Sequence, residues 1–146
     1  MDLSTLNAAD ACEATFDLEL KHPVTNEPLG LFISHKGLNS RAVLDVSRKQ
    51  GNEILRKSFQ AQRKAKDEEP PTIEEGGKRA AKLLAAASTA WFEMKDGKKI
   101  DGFDFGGDRL TFTTDAAIKL YDDPGFGWLR MQLDESVGDL GNFIKA

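Results

Sequence analysis

With one cysteine, Cys12, this 146-residue chain has no means of forming an internal disulfide, and a reducing compartment is the corresponding expectation. Histidine is almost as scarce: His22 and His35 are the only two, and neither stands at zinc-ligand spacing from Cys12. No apolar run approaches the ~18 residues that would span a bilayer, and Met1–Asp10 lacks the basic start and apolar stretch of a signal peptide. The cytosol is the expected location, without a membrane partner.

Catalytic combinations are missing too. No nucleophile stands with a base, and no carboxylate pair falls in a motif that would place both in one pocket. Gly102-Phe103-Asp104-Phe105-Gly106-Gly107 lacks the Gly-Lys-Ser/Thr ending of a phosphate loop. Within it, Asp104-Phe105-Gly106 matches a kinase metal triplet, without a catalytic loop or the length of a kinase. His22 and His35 are read as turn and surface histidines. These absences argue against an enzyme and against a bound metal or cofactor.

What is present is charge, unevenly spread. The net charge of −4 divides into about −4 over 1–40, +6 over 41–66 and −6 over 67–146. A basic middle between acidic flanks suits either a nucleic-acid patch or a solvated helix meeting acidic protein surface. The low pI of 5.2 and the lack of interleaved aromatics apart from Phe59 favour the solvated helix. The length fits one domain with a core of its own.

Periodicity predicts an α+β fold: a single domain over 1–146, with an N-terminal β-hairpin followed by a mainly helical bundle of about four helices. Residues 1–13 are an extension. In the hairpin, 14–36, Phe16, Leu18 and Leu20 alternate with Asp17, Glu19 and Lys21, and Leu29, Leu31 and Ile33 share a face beyond a turn holding Pro23 and Pro28. Asn39 or Ser40 would cap a long basic helix over 39–66, with Val43, Val46, Ile54, Leu55 and Phe59 as its apolar residues. A connector at 67–71 ends in Pro70-Pro71, and Thr72 with Glu75 forms a capping box for a second, alanine-rich helix. Ala80, Leu84, Ala87 and Trp91 recur at helical spacing there, so this helix is expected to be the core and to stop at Asp96-Gly97. The glycine-rich stretch 97–109 is read as a loop, with a short extended piece as the alternative. Thr113 or Thr114 caps a short helix, and a final helix runs from about Gly127 to Ile144, weakened by Gly138 and Gly141.

Protein-binding residues are sought where apolar anchors meet a polar rim. Ile54, Leu55 and Phe59 lie within two turns of one another, flanked by Arg56 and Arg63, on a helix too polar at its far end to be covered by a small core. Phe59 either anchors a partner or caps the chain's own core. Trp128, after Gly-Phe-Gly, is a further interface candidate, whereas Trp91 is expected in the core.

Taken together, the hairpin from Phe16 through Pro28-Leu29-Gly30, then Gly37 to Ser40 and the long basic helix, resembles the tail assembly chaperones of long-tailed bacteriophages. Leu83 to Trp91, Asp96-Gly97, Asp115 to Tyr121 and Trp128-Leu129 to Asn142-Phe143 resemble the C-terminal half of that pattern. The likeness covers the chain from about Ala14 and consists of small and apolar positions rather than a reactive signature. It implies a non-enzymatic protein of the host cytoplasm that binds the tape measure protein, helps recruit tail tube protein subunits and is absent from the finished virion. Self-association is left open. The rival readings are a structural tail or head–tail connector component, and a small nucleic-acid-binding regulator using the basic helix.

Overall fold

The computed structural model describes residues 1–63 and 72–144 and is a mixed fold of helix and sheet. The chain runs through a short helix α1 (Ala8–Ala11), strands β1 (Phe16–Lys21) and β2 (Pro28–His35), and helices α2 (Arg41–Arg63) and α3 (Ile73–Ala87). Strands β3 (Ser88–Lys95), β4 (Lys98–Asp101), β5 (Phe103–Phe105) and β6 (Asp108–Leu110) follow, and helices α4 (Thr114–Asp122) and α5 (Gly127–Gly138) close it. The expected end of the long basic helix at 64–66 and the connector at 67–71 lie outside the described residues. Among the described residues no helix is long and apolar enough to cross a membrane.

Strands β1 to β4 form one antiparallel sheet in that order. The register sets Leu18 against Ile33 and Ile33 against Trp91, so one face carries Leu18, Leu20, Ile33 and Trp91 beneath α3, α4 and α5. On the opposite face Phe32 and Phe92 stack at 4.9 Å, with the Lys99 ammonium 4.3 Å above the Phe92 ring. The alanines of α3 let its neighbours close in: Ala81, Leu84, Ala85 and Ala87 meet Ala117, Leu120 and Tyr121 of α4 and Leu133 of α5 in a single core. Thr72 accepts the Glu75 N–H at 3.1 Å and Thr113 the Ala116 N–H at 3.0 Å, satisfying helix-start donors as the sequence suggested. At the sheet edge the Gln132 amide bonds both backbone groups of Lys21 at 2.9 Å, giving β1 a partner on its open side.

The central expectation of a helical remainder is corrected here. The alanine-rich helix ends at Ala87, and Ser88 passes straight into β3, so Trp91 is a strand residue inside the sheet. The helical spacing of Ala87 and Trp91 is coincidental, because both point into the core from different elements. Trp91 and Phe92 are both buried, on opposite faces, which erased the alternation that marks a strand. Asp96 and Gly97 both have positive φ, 53° and 76°, which is a two-residue hairpin turn and not a helix end. The supposed glycine-rich loop holds β4, β5 and β6, with Gly106-Gly107 (φ 58° and 89°) turning the second hairpin. Gly102 lets this hairpin fold back: its φ is 83°, and a Cβ there would sit 2.5 Å from the Leu110 carbonyl oxygen. The final helix stops at Gly138, and residues Leu140–Asn142 form a separate 3-10 turn instead of continuing to Ile144.

The root of α2 is capped from a distance. Neither Asn39 nor Ser40 makes the expected capping bond; the Glu13 carboxylate accepts the Arg41 N–H at 2.6 Å and pairs with the Lys36 ammonium at 3.2 Å. Both bonds hold the Glu13 carboxyl below its ordinary value, the backbone bond foremost. Cys12 is buried next to Gly37, where a Cβ would fall 2.3 Å from its Sγ, so the segment before β1 is seated tightly beside the start of α2.

Candidate functional site

Helix α2 packs on α3, with Val43 buried and the Gln50 amide donating to the Arg79 carbonyl at 3.1 Å. Val43 is its only buried residue. At 1.5 Å per residue the helix is about 34 Å long, and its stretch beyond Gln50, where most side chains are exposed, is termed the arm. Ile54, Leu55 and Phe59 are 41%, 57% and 63% exposed on it.

Leu44, Leu55 and Phe59 fall within ~60° of one another round the helix axis and about 100–160° from the line of Val43, so they form a second apolar stripe turned away from α3. Leu55, Arg56, Phe59 and Arg63 line one open recess with Asn52, Gln60 and Gln62. Of the two readings of Phe59, the cap on the chain's own core is therefore set aside. The structure brings together four of the five α2 residues singled out from sequence, Leu55, Arg56, Phe59 and Arg63, and leaves out Ile54, which falls within ~20° of the Val43 line on the other side of the helix. Leu44 joins the stripe, its place hidden by its distance of eleven residues from Leu55.

Trp128 lies elsewhere. It is half-buried against the core at the start of α5, its ring 6.5 Å from that of Phe126, which is in turn 5.7 Å from the ring of Phe105. Phe105 opens a second feature, a groove of about 410 Å³ between the β5–β6 hairpin and α4, lined by Phe105, Leu110, Thr113, Ala116 and Leu120 with Asp115, Lys119 and Asp123 at its polar positions. Sequence reasoning passed over this groove because its two walls were read as a loop and an isolated short helix. Arg109 fixes the hairpin wall, binding Glu93 and Asp104 and donating to the carbonyls of Ile100, Asp101 and Gly102. Those contacts raise its guanidinium pKa above the ordinary value, Glu93 foremost.

The histidines divide. His22 is a turn histidine, its Nδ1 accepting the N–H groups of Val24 and Thr25 at 3.1 and 3.2 Å. His35 is a correction to the sequence reading, being fully buried in β2. Its Nδ1 lies 3.0 Å from the Lys36 carbonyl, which requires the proton there; Nε2 therefore accepts the Ser136 hydroxyl at 2.7 Å. Asn142 donates to both oxygens of Ser136, at 3.0 and 3.2 Å. Burial pushes the imidazole pKa below 6.5, keeping it neutral. Although a serine hydrogen-bonded to a neutral histidine has the form of an activated nucleophile, the pair lies beneath the rings of Phe16 and Phe143 and joins α5 to β2. Among the described residues no three His, Cys, Asp or Glu side chains converge as a metal-holding group.

A second buried network centres on Tyr121. The Trp91 Nε1–H donates to its hydroxyl oxygen at 2.9 Å, Ser88 stands 2.8 Å from the same oxygen, and Ser88 Oγ donates to the Leu84 carbonyl at 2.8 Å. With the serine proton committed to Leu84, the tyrosine hydroxyl must donate to Ser88, and every member is satisfied. Desolvation, partly offset by those bonds, pushes the phenol up to about 12.

No protein-family model, curated protein or solved structure matches the chain.

Proposed function

We propose that this protein is a non-enzymatic binding protein whose α2 arm takes an amphipathic client helix, in the role of a phage tail assembly chaperone with the tape measure protein as client. The observation that carries this reading is the apolar stripe of Leu44, Leu55 and Phe59, left exposed on a helix bordered by Arg56 and Arg63. A client of long apolar helices needs an accessible counter-surface that stays in solution by itself, and a basic rim around a few apolar anchors meets both needs. Recruitment of tail tube protein and action in the host cytoplasm, absent from the mature virion, belong to the same reading and rest on the sequence resemblance.

The test is the double variant Phe59→Ser with Arg63→Glu, co-expressed with a tape measure fragment. Both side chains are exposed, so unfolding free energy should change by no more than about 0.5 kcal/mol, while the fragment no longer co-purifies. A folded variant that still holds the fragment refutes the assignment of the surface. Tight duplex-DNA binding by the wild-type protein that collapses with rising salt would favour the regulator reading, and recovery of the chain from purified particles would favour a virion component.

A further inference from the structure

The arm and the groove between the β5–β6 hairpin and α4 each expose an aromatic ring and differ in the sign of their charge, yet one chain does not join them. Phe59 stands exposed near the far end of α2, and Phe105 is about half exposed at the mouth of the groove. Because α2 is a continuous helix whose described packing is on α3, it cannot bend its tip into its own groove without giving up that packing. The charges oppose each other: residues 41–63 carry six basic and two acidic side chains, and residues 101–123 carry six aspartates against Arg109 and Lys119. Arg109 is spent on Glu93 and Asp104, which takes Asp104 out of the tally as well and leaves five aspartates against Lys119.

We propose that the groove receives the α2 arm of a second copy of this chain, with Phe59 entering beside Phe105 and Arg56 or Arg63 meeting Asp115. The contact joins two different surfaces, so it is head-to-tail: each added copy presents a fresh arm and a fresh groove, and assembly grows into a ring or an open chain instead of stopping at a dimer. Opposite charge sets the orientation and makes assembly sensitive to salt. The inference shares the arm with the client reading above, and a client helix bound there competes with the next copy.

Sedimentation velocity over a range of concentrations tests this with two variants. The arm variant carries Arg56→Glu and Phe59→Ser; the groove variant carries Phe105→Ser and Asp115→Lys, with Asp115→Lys alone as the milder change at an exposed position. Wild-type protein should form species larger than dimers at low salt, and its association should weaken roughly tenfold or more on passing to high salt. Each variant alone should remain monomeric with an unchanged circular dichroism spectrum. An equimolar mixture should form a dimer and nothing larger, because it contains one intact arm and one intact groove per pair. A wild-type chain that stays monomeric throughout, a folded groove variant that assembles like wild type, or a mixture that stays monomeric overturns the proposal. The client reading is scored separately: the groove variant should still bind the tape measure fragment, and if assembly fails while that binding persists, only the present inference falls.

Discussion

Replacing Tyr121 by phenylalanine removes one oxygen from the best-connected polar cluster in the core. Its ring is fully buried, and Trp91, which donates to the hydroxyl, is only 1% exposed. In the variant the buried indole N–H loses its acceptor, costing about 1–3 kcal/mol, while Ser88 keeps its bond to Leu84 and loses only an incoming donor. The expected destabilisation is therefore about 1–3 kcal/mol, a sizeable fraction of the ~5–15 kcal/mol typical of a domain. Urea unfolding followed by tryptophan fluorescence should show a lowered midpoint at unchanged slope. Tyr121 is also the only tyrosine, so tyrosinate absorbance reports this site alone. In the native protein it should appear only toward pH 12, against an ordinary value of 10.0. The sign follows: the folded pKa is raised, so this group's contribution is complete below pH 10 and is lost as pH climbs toward 12. A loss under about 0.5 kcal/mol on Tyr121→Phe, or native ionisation near pH 10, would refute the network as drawn.

Three further outcomes follow from the core and its turns. Leu84→Ala, at a buried position of α3, should cost about 2–5 kcal/mol in chemical denaturation. His35 is held neutral, so the unfolded chain binds its proton more readily; stability is full above pH 6.5 and erodes as pH falls below it, and His35→Gln should flatten that part of the stability profile. Gly102→Ala meets both a positive φ and the Leu110 carbonyl oxygen, and a melting point lowered by an equivalent of at least ~1–3 kcal/mol is expected, with the β5–β6 amides exchanging faster.

The two N-terminal strands were legible because Phe16, Leu18 and Leu20 face a core while their neighbours face solvent. The capping threonines, Thr72 and Thr113, were legible for a similar reason, since each acts within three residues of itself. Strand β3 was not, because Trp91 and Phe92 bury both sides of a central strand and the preceding helix hands over without a connecting residue. Asp96-Gly97 carried a hairpin signal that was outweighed by the helical spacing before it. On the arm, the identity of the apolar residues could be read directly, whereas the exposure of Phe59 depends on how far α3 and the core extend. The groove is a relation between residues 105 and 123 that exists only once the second hairpin folds against α4. The capping of α2 by Glu13 was hidden most completely, for no local pattern links it to Arg41.

That distant cap governs aim more than strength. Phe59 lies eighteen residues up α2 from Arg41, about 27 Å along a stiff rod, so a tilt of ~10° at the base would swing the aromatic ring by about 5 Å. The base is steadied by Glu13 on the Arg41 amide and Lys36, with Cys12 wedged against Gly37. A change at Glu13 would therefore leave the sheet and its helices intact while blurring the direction in which the arm points, and its cost would be registered by whatever the arm must reach.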